Sequence, residues 1–189
     1  DFPKEMGYSL YDNNRSTRIF ELIESYEKID FSDFKSIKFD YKYPTPFTFN
    51  FVDVNEIMEM NPDDYPDISD LIIEIQNWDR STDSDSLGAG IFAMFYYNLG
   101  NYIRKPYINR NLSKNLIAQM LRDVKAYMVK HFNKTNVRLG EYQKLVRGDK
   151  EIPIWGMPDV ITAMTSSRHI GGKRKITHGE SYIQLVKFS

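Results

Sequence analysis

The sequence contains no cysteine among its 189 residues. This absence excludes disulfide bonds, thiol catalysis and thiolate metal sites, and it leaves the compartment open, because cysteine-free chains suit reducing and oxidising compartments alike. The chain also lacks any apolar run close to the roughly 18 residues that are needed to span a bilayer. We therefore expect no membrane-spanning segment and no membrane partner.

The chain carries almost no net charge. Lys and Arg together number 25 and Asp and Glu number 26, which gives a formal charge of -1. A balanced charge provides no general attraction to nucleic acid or to an anionic membrane. One short basic run, Lys173-Arg174-Lys175, stands beside two glycines without an interleaved aromatic residue, which favours a solvated loop over a nucleic-acid patch.

The composition is that of a folded globular domain, with 41% hydrophobic and 14% aromatic residues. Apolar residues recur at helical spacing over three long stretches, which predicts helices at residues 66–78, 87–102 and 114–132. Ser113 is the expected cap of the third, and Ser84 or Asp85 of the second. The aromatic residues follow these apolar stripes, so we expect them to form a core rather than an acyl pocket.

Shorter elements are expected on both sides of these three helices. The same periodicity predicts short helices at residues 15–26, 32–37, 54–60, 139–146 and 159–165. Pro44 and Pro46 interrupt any helix between residues 41 and 52, where alternating phenylalanines predict an extended segment or a short strand. Gly171 and Gly172 mark a loop.

A strand is predicted at residues 182–188, with apolar side chains on both faces. Such a strand needs cover on each face and a neighbour on each edge. The sequence shows few other strands, so we expect its sheet to lie outside this chain and the exposed strand to promote self-association. The chain begins with Asp1-Phe2-Pro3 and stops just after the strand, which we interpret as a piece of a longer protein.

Two motifs invite a catalytic or metal-binding interpretation. His178-Gly179-Glu180-Ser181 lacks the second glycine of a nucleophile elbow and precedes a strand, so a turn is favoured over a Ser-His-acid triad at Ser181. The alternating carboxylates of residues 79–85 suggest a calcium loop, but Ser84 replaces its glycine and Gly90 replaces its bidentate glutamate. A connector between helices is favoured, and the residues alone indicate no catalytic, cofactor-binding or metal-binding position.

Several stretches, taken in order, resemble one family. They are Asp1-Phe2-Pro3, Asn13-Asn14-Arg15-Ser16, Tyr65-Pro66-Asp67, Trp78-Asp79-Arg80, Asp85-Ser86, Leu139-Gly140-Glu141-Tyr142, Pro153-Ile154-Trp155-Gly156 and Gly179-Glu180-Ser181-Tyr182. On these stretches the chain resembles the later part of the β chain of penicillin-acylase-type hydrolases, in particular the branch of acyl-homoserine-lactone and aculeacin acylases. Their order and spacing carry the resemblance, since no single motif is diagnostic.

The resemblance implies an N-terminal-nucleophile hydrolase in which a serine, freed by self-cleavage, attacks an amide with its own α-amine as the base. It also implies that the nucleophile, the oxyanion groups and any calcium ligands precede residue 1, so that no catalytic residue, cofactor or metal ligand maps onto this sequence. The implied fold is mainly α with a small β component. Residues 1–136 would be the helical region, and residues 137–189 a return segment with short helices and a core-sheet strand.

The resemblance further implies what the parent enzyme does. It would deacylate N-acylated compounds such as acyl-homoserine lactones or penicillins, in the periplasm or outside the cell. This piece would be scaffold and one wall of the acyl pocket, with the α chain and the first part of the β chain as its partners. The alternative that stays open is a non-catalytic helical module whose aromatic surface binds a protein.

Overall fold

A computed structural model describes residues 12–49, 52–53, 55–102, 112–179 and 183–187. Helices make up 48% of it and strands 13%, which confirms the expected fold class, mainly α with a small β component. The helices are α1 (Asn14–Glu24), α2 (Phe31–Lys38), α3 (Ser69–Gln76), α4 (Leu87–Tyr102), α5 (Lys114–Phe132) and α6 (Leu139–Tyr142). The strands are β1 (Thr48–Phe49), β2 (Val52–Asp53), β3 (Gln143–Arg147), β4 (Lys150–Pro153), β5 (Thr165–Arg168) and β6 (Arg174–His178).

Three short 3₁₀ helices complete the described elements, at Asn55–Glu59, Pro62–Asp64 and Ile170–Gly172. The first lies where the sequence predicts a short helix, and the third contains the expected glycine pair. Strands β1 and β2 pair with each other as a minimal antiparallel hairpin, in agreement with the extended segment predicted there. None of the described helices combines the length and apolarity needed to cross a bilayer.

The core lies where α4 packs against α3 and α5. Helix α4 is apolar on most sides, and its Phe92 and Phe95 are fully buried. Two glycines allow close packing: a Cβ at Gly90 would lie 2.1 Å from the carbonyl oxygen of Val137, and one at Gly88 would lie 2.5 Å from the side chain of Trp78. Close packing thus offsets the roughly 1 kcal/mol that each glycine costs a helix relative to alanine.

The helix starts follow ordinary capping chemistry, and only the cap of α4 is shifted, by one or two residues, from the predicted positions. The Ser113 side chain accepts a hydrogen bond from the backbone of Leu116 at 3.3 Å and caps α5, as predicted. Helix α4 is capped by Ser86, whose Oγ accepts from the Ala89 backbone at 3.1 Å. Helix α1 is capped by Asn13 through a reciprocal bond pair with Ser16. These side chains satisfy first-turn N–H groups that lack partners inside the helix.

The four-stranded sheet has the order β4-β3-β6-β5. Its β3 and β4 form a hairpin whose turn contains Gly148 in the left-handed conformation, with φ 58°. The helix predicted at residues 139–146 is therefore wrong beyond Tyr142. With its positive φ, Gly148 allows the chain to reverse from β3 into β4.

The helix predicted at residues 159–165 is also wrong. Asp159 has a positive φ of 64°, and the backbone N–H and the hydroxyl of Thr162 both donate to the carbonyl oxygen of Asp40. These long-range bonds replace helical ones. The segment forms turns and then enters β5.

The strand predicted at residues 182–188 is wrong over residues 183–187, which have no regular secondary structure. Tyr182 and Phe188 lie outside the described residues. The chain instead builds its own sheet from β3 to β6, so the expectation that few strands are available inside it is overturned. The strands β3 to β6 were not predicted because charged and polar residues occupy most of their positions. The sequence prediction relied on the apolar run at residues 182–188.

Candidate functional site

The three histidines occupy different surroundings. His178 is exposed, and its Nδ1 lies 3.2 Å from Thr177 Oγ1. His169 pairs with Glu151 at 3.2 Å, and the exposed His131 lies in the last turn of α5 with its ring 4.4 Å from that of Tyr127. His131 therefore belongs to the helix end and not to the core. Ser181, the hypothetical nucleophile, lies outside the described residues.

The carboxylates of the connector between α3 and α4 are engaged by the protein itself. Asp79 accepts a hydrogen bond from Lys42 at 2.6 Å and one from the Ser81 backbone at 3.0 Å. Asp83 accepts from the Asp85 backbone at 2.8 Å. Within the described residues, no group of three or more metal-ligating side chains is placed to hold a metal ion. The connector thus uses its acidic residues to shape turns.

A cavity of about 290 Å³ lies between α4, α5 and the four-stranded sheet. The two helices supply residues spaced three or four positions apart, which places them on one side of each helix. The sheet supplies Arg168 from β5 and Arg174 from β6, directly opposite each other in the strand register. The described lining consists of Met94, Tyr97, Asn98, Asp123, Val124, Tyr127, Tyr142, Arg168 and Arg174.

Arg174 is held firmly at this cavity. Its Nε donates to Ser166 Oγ at 2.8 Å, and its Nη2 donates to the Ser166 carbonyl oxygen. Its guanidinium carbon lies 3.5 Å from the centroid of the Tyr97 ring, and Ser166 Oγ in turn donates to the Tyr97 hydroxyl at 2.9 Å. Stacking on a ring and two directed bonds fix the plane of the guanidinium group.

Two further tyrosines give the cavity its aromatic wall. Tyr142 is almost fully buried, and burial raises its pKa well above the usual range, against the opposing effect of Arg174. Burial also raises the pKa of Tyr127, whose hydroxyl donates to the Gly172 carbonyl oxygen at 2.7 Å. Both phenols are therefore neutral at pH 7. The described lining combines cationic and phenolic groups with apolar surface and includes no serine, threonine or histidine.

Sequence reasoning missed Arg174. The basic run is not a solvated loop: Lys173 pairs with Glu151, and Arg174 and Lys175 belong to β6. The aromatic partner that the local sequence lacks is Tyr97, which comes from α4. No signal near Arg174 in the sequence could have indicated this contact, because the fold creates it.

Five large apolar side chains of α1, of α2 and of the C-cap residue of α2 are exposed. Phe20 is 58% exposed, and its four companions are each at least 39% exposed. We call this set the α1–α2 apolar face. Its members are Phe20, Ile23, Phe31, Phe34 and Phe39.

Polar contacts hold α1 in place beside this face. Asn14 is buried, and both its backbone N–H and its side-chain Nδ2 donate to Asp159 Oδ2, at 3.2 and 2.9 Å. Arg18 forms a two-pronged pair with Asp40 at 3.1 and 2.9 Å. The orientation of α1 is therefore set by directed bonds, while apolar side chains of the same helix remain in solvent.

The sequence of the whole chain is compared with models of protein families and with curated proteins. The model of a protein family described as Penicillin amidase matches residues 1–189, the whole chain. No curated protein matches the sequence. The family match covers both the helical part and the four-stranded sheet.

Proposed function

Because the chain belongs to the penicillin amidase family, we propose that it is part of an enzyme that hydrolyses the amide bond of N-acylated compounds. The family match over residues 1–189 is the observation that carries this proposal. The substrates proposed are acyl-homoserine lactones or penicillins, since the motifs resemble that branch of the family. The proposed location is the periplasm or the cell exterior.

The proposed chemistry is that of an N-terminal serine. The serine hydroxyl attacks the amide carbonyl while the α-amine takes its proton, an acyl-serine forms, and the amine departs. Water then attacks the acyl-serine and releases the carboxylic acid. We propose that residues 1–189 supply none of these reacting groups, and that calcium, where the enzyme binds it, takes ligands outside them.

In this proposal the chain is scaffold, with a helical region at residues 1–136 and a return segment at residues 137–189. The described part of its central aromatic cluster supports that role. Tyr43 and Phe47 stack with ring centroids 5.5 Å apart, and Trp78 and Phe92 stack at 5.2 Å. All four are buried. A buried cluster contributes to stability, and it offers no surface to an acyl chain.

We propose that the α1–α2 apolar face contacts the remainder of the acylase, namely its α chain and the first part of its β chain, and supplies a wall of the acyl pocket. Exposed apolar patches on a fixed framework are typical of interaction sites. The bonds from Asn14 to Asp159 and from Arg18 to Asp40 hold α1 with these apolar side chains exposed. A protein partner would cover them.

The same exposed face favours a second candidate function, a non-catalytic helical module that binds a protein. The two candidates differ in the full-length protein. Only the acylase requires a serine released by self-cleavage upstream of these residues.

Activity measurements on two proteins separate the candidates. The full-length gene product and the chain of residues 1–189 are each incubated with chromogenic N-acyl substrates. We expect the full-length protein to turn over and the chain alone to be inactive, because a scaffold without nucleophile and oxyanion donors stabilises no transition state. An inactive full-length protein that lacks the cleavage would favour the binding module.

Activity of residues 1–189 alone that survives repurification and disappears in Ser181→Ala would contradict the proposed division of roles. It would establish Ser181 as the nucleophile instead. The matched control is Ser189→Ala, which removes another serine hydroxyl from the C-terminal segment.

A further inference from the structure

We propose that the cavity between α4, α5 and the sheet binds a small aromatic monocarboxylate, with Arg168 and Arg174 on its carboxylate and the tyrosine rings around its apolar part. The inference does not rest on the proposed function, because it concerns binding without turnover. It follows from the charge, the rigidity and the shape of the described lining.

The first feature of the cavity is the positive charge of its two arginines. Neither Arg168 nor Arg174 forms an ion pair with a carboxylate in the described part of the chain. By contrast, Arg18 pairs with Asp40 and Arg122 pairs with Asp67. Two neighbouring guanidinium groups without carboxylate partners repel each other and favour an anion between them. A carboxylate suits them because the planar fork of arginine matches its two oxygens.

The position of Arg174 is set before a ligand arrives. Its bonds to Ser166 and its stacking on Tyr97 fix the guanidinium plane. Binding then costs little side-chain ordering at this residue, which is the advantage of a preorganised site. Arg168 is exposed on the neighbouring strand and can close on the carboxylate from solvent.

The apolar and aromatic residues of the lining favour a ligand whose uncharged part is an aromatic ring. The volume of about 290 Å³ suits a single ring with a short substituent. Met94 and Val124 are buried, and the ring centroids of Tyr127 and Tyr142 lie 6.2 Å apart in an edge-to-face arrangement. Aromatic rings pack well against such walls, so a benzene ring fits this surface better than a polar group.

Asp123 limits the charge of the ligand. It is the one carboxylate among the described lining residues, and it accepts a hydrogen bond from Gln119 at 3.3 Å. Two arginines and one aspartate give the described lining a net charge of +1. A monoanion neutralises this charge, whereas a dianion such as sulfate exceeds it and would be repelled by Asp123.

Benzoate is the probe, and benzamide is its neutral counterpart of the same shape. Each is titrated into the full chain at pH 7 and followed by isothermal calorimetry and by chemical shifts of the tyrosine rings. We expect benzoate to bind with a Kd below about 10 mM and benzamide to bind at least ~10-fold more weakly, since only benzoate offers charge-assisted bonds. Inorganic sulfate, which is a dianion at pH 7, should bind more weakly than benzoate.

Arg168→Gln is the informative variant, because the residue is exposed and its loss should not disturb folding, which circular dichroism checks. Its benzoate affinity should fall ~10-fold. The matched control is Arg147→Gln on β3, an exposed arginine outside the cavity lining, whose affinity should equal that of the wild type. Arg174→Lys keeps the charge but loses the fork, and it should also weaken binding.

Equal affinities for benzoate and benzamide would overturn the proposal, as would unchanged affinity in Arg168→Gln or the absence of saturable binding. Tighter binding of sulfate than of benzoate would likewise reject a monocarboxylate site. None of these outcomes depends on amide hydrolysis, so the failure of this proposal and that of the proposed function are distinguished.

Discussion

Two groups of helices are stabilised by different means. The first group consists of α3, α4 and α5, and the second of α1 and α2. The first group buries its apolar stripes in one continuous core, and Phe92 in α4 is completely inaccessible. The second is anchored through Asn14 and Arg18 while Phe20 and Phe34 remain exposed. The core helices thus complete one another, whereas the α1–α2 apolar face lacks cover within the described part of the chain.

A matched pair of truncations gives the largest expected difference between the two regions. Phe92→Ala should lower the free energy of unfolding by about 3–5 kcal/mol, because it opens a cavity in the core. Phe34→Ala should change it by less than about 1 kcal/mol, because that residue is 44% exposed and its truncation opens no buried cavity. Urea denaturation of both variants measures the difference. Equal losses would mean that the α1–α2 apolar face is part of a folded core.

The hydrogen bonding of Asn14 to Asp159, which anchors α1, should contribute less to the free energy of unfolding than Phe92 does. Asn14→Ala removes the side-chain hydrogen bond from Nδ2 to the half-buried carboxylate of Asp159, while the backbone N–H of residue 14 can still donate, and the loss should cost about 1–3 kcal/mol. The control is Asn136→Ala, an exposed asparagine on the loop before α6, which should be neutral. Hydrogen exchange of α1 amides should accelerate in Asn14→Ala alone. If exchange were unchanged, other contacts would hold α1.

The α1–α2 apolar face should also determine how the isolated chain behaves in solution. We expect residues 1–189 to self-associate, and Phe20→Ser with Phe34→Ser to reduce that association, because exposed apolar patches drive it. Light scattering on the double variant and on a chain ending at residue 181 compares this face with the C-terminal segment. If only the truncated chain showed reduced self-association, residues 182–189 would be responsible for it.

The smallest expected effect is the pH dependence of the stability that Asp159 contributes. Burial raises the pKa of Asp159, although bonds from Asn14 oppose the shift. Because the folded-state pKa lies above the unfolded one, the folded chain holds this proton more tightly, and stability from Asp159 is lost as the pH rises through the folded pKa. The stability of the wild type relative to Asp159→Asn should therefore increase on acidification from pH 7. A pH-independent difference would contradict the assignment.

The sequence predicts the core well and the sheet poorly, for physical reasons. Helices α4 and α5 carry long apolar stripes with capping residues, so local periodicity and tertiary packing favour the same structure. Strands β3 and β6 carry Lys144, Arg174 and Lys175, and their pairing depends on contacts between distant segments. The cavity was missed for the same reason, since the stacking of Arg174 on Tyr97 exists only once β6 lies beside α4.

Hydrogen exchange followed by mass spectrometry, on the full-length protein and on residues 1–189, tests most directly whether the α1–α2 apolar face is an interface. We predict that amides of α1 and α2 exchange more slowly in the full-length protein, because in the proposed function the remainder of the acylase covers them. Amides of α4 should exchange equally slowly in both, since their burial is complete within the chain. Identical rates for α1 and α2 in the two proteins would contradict the account.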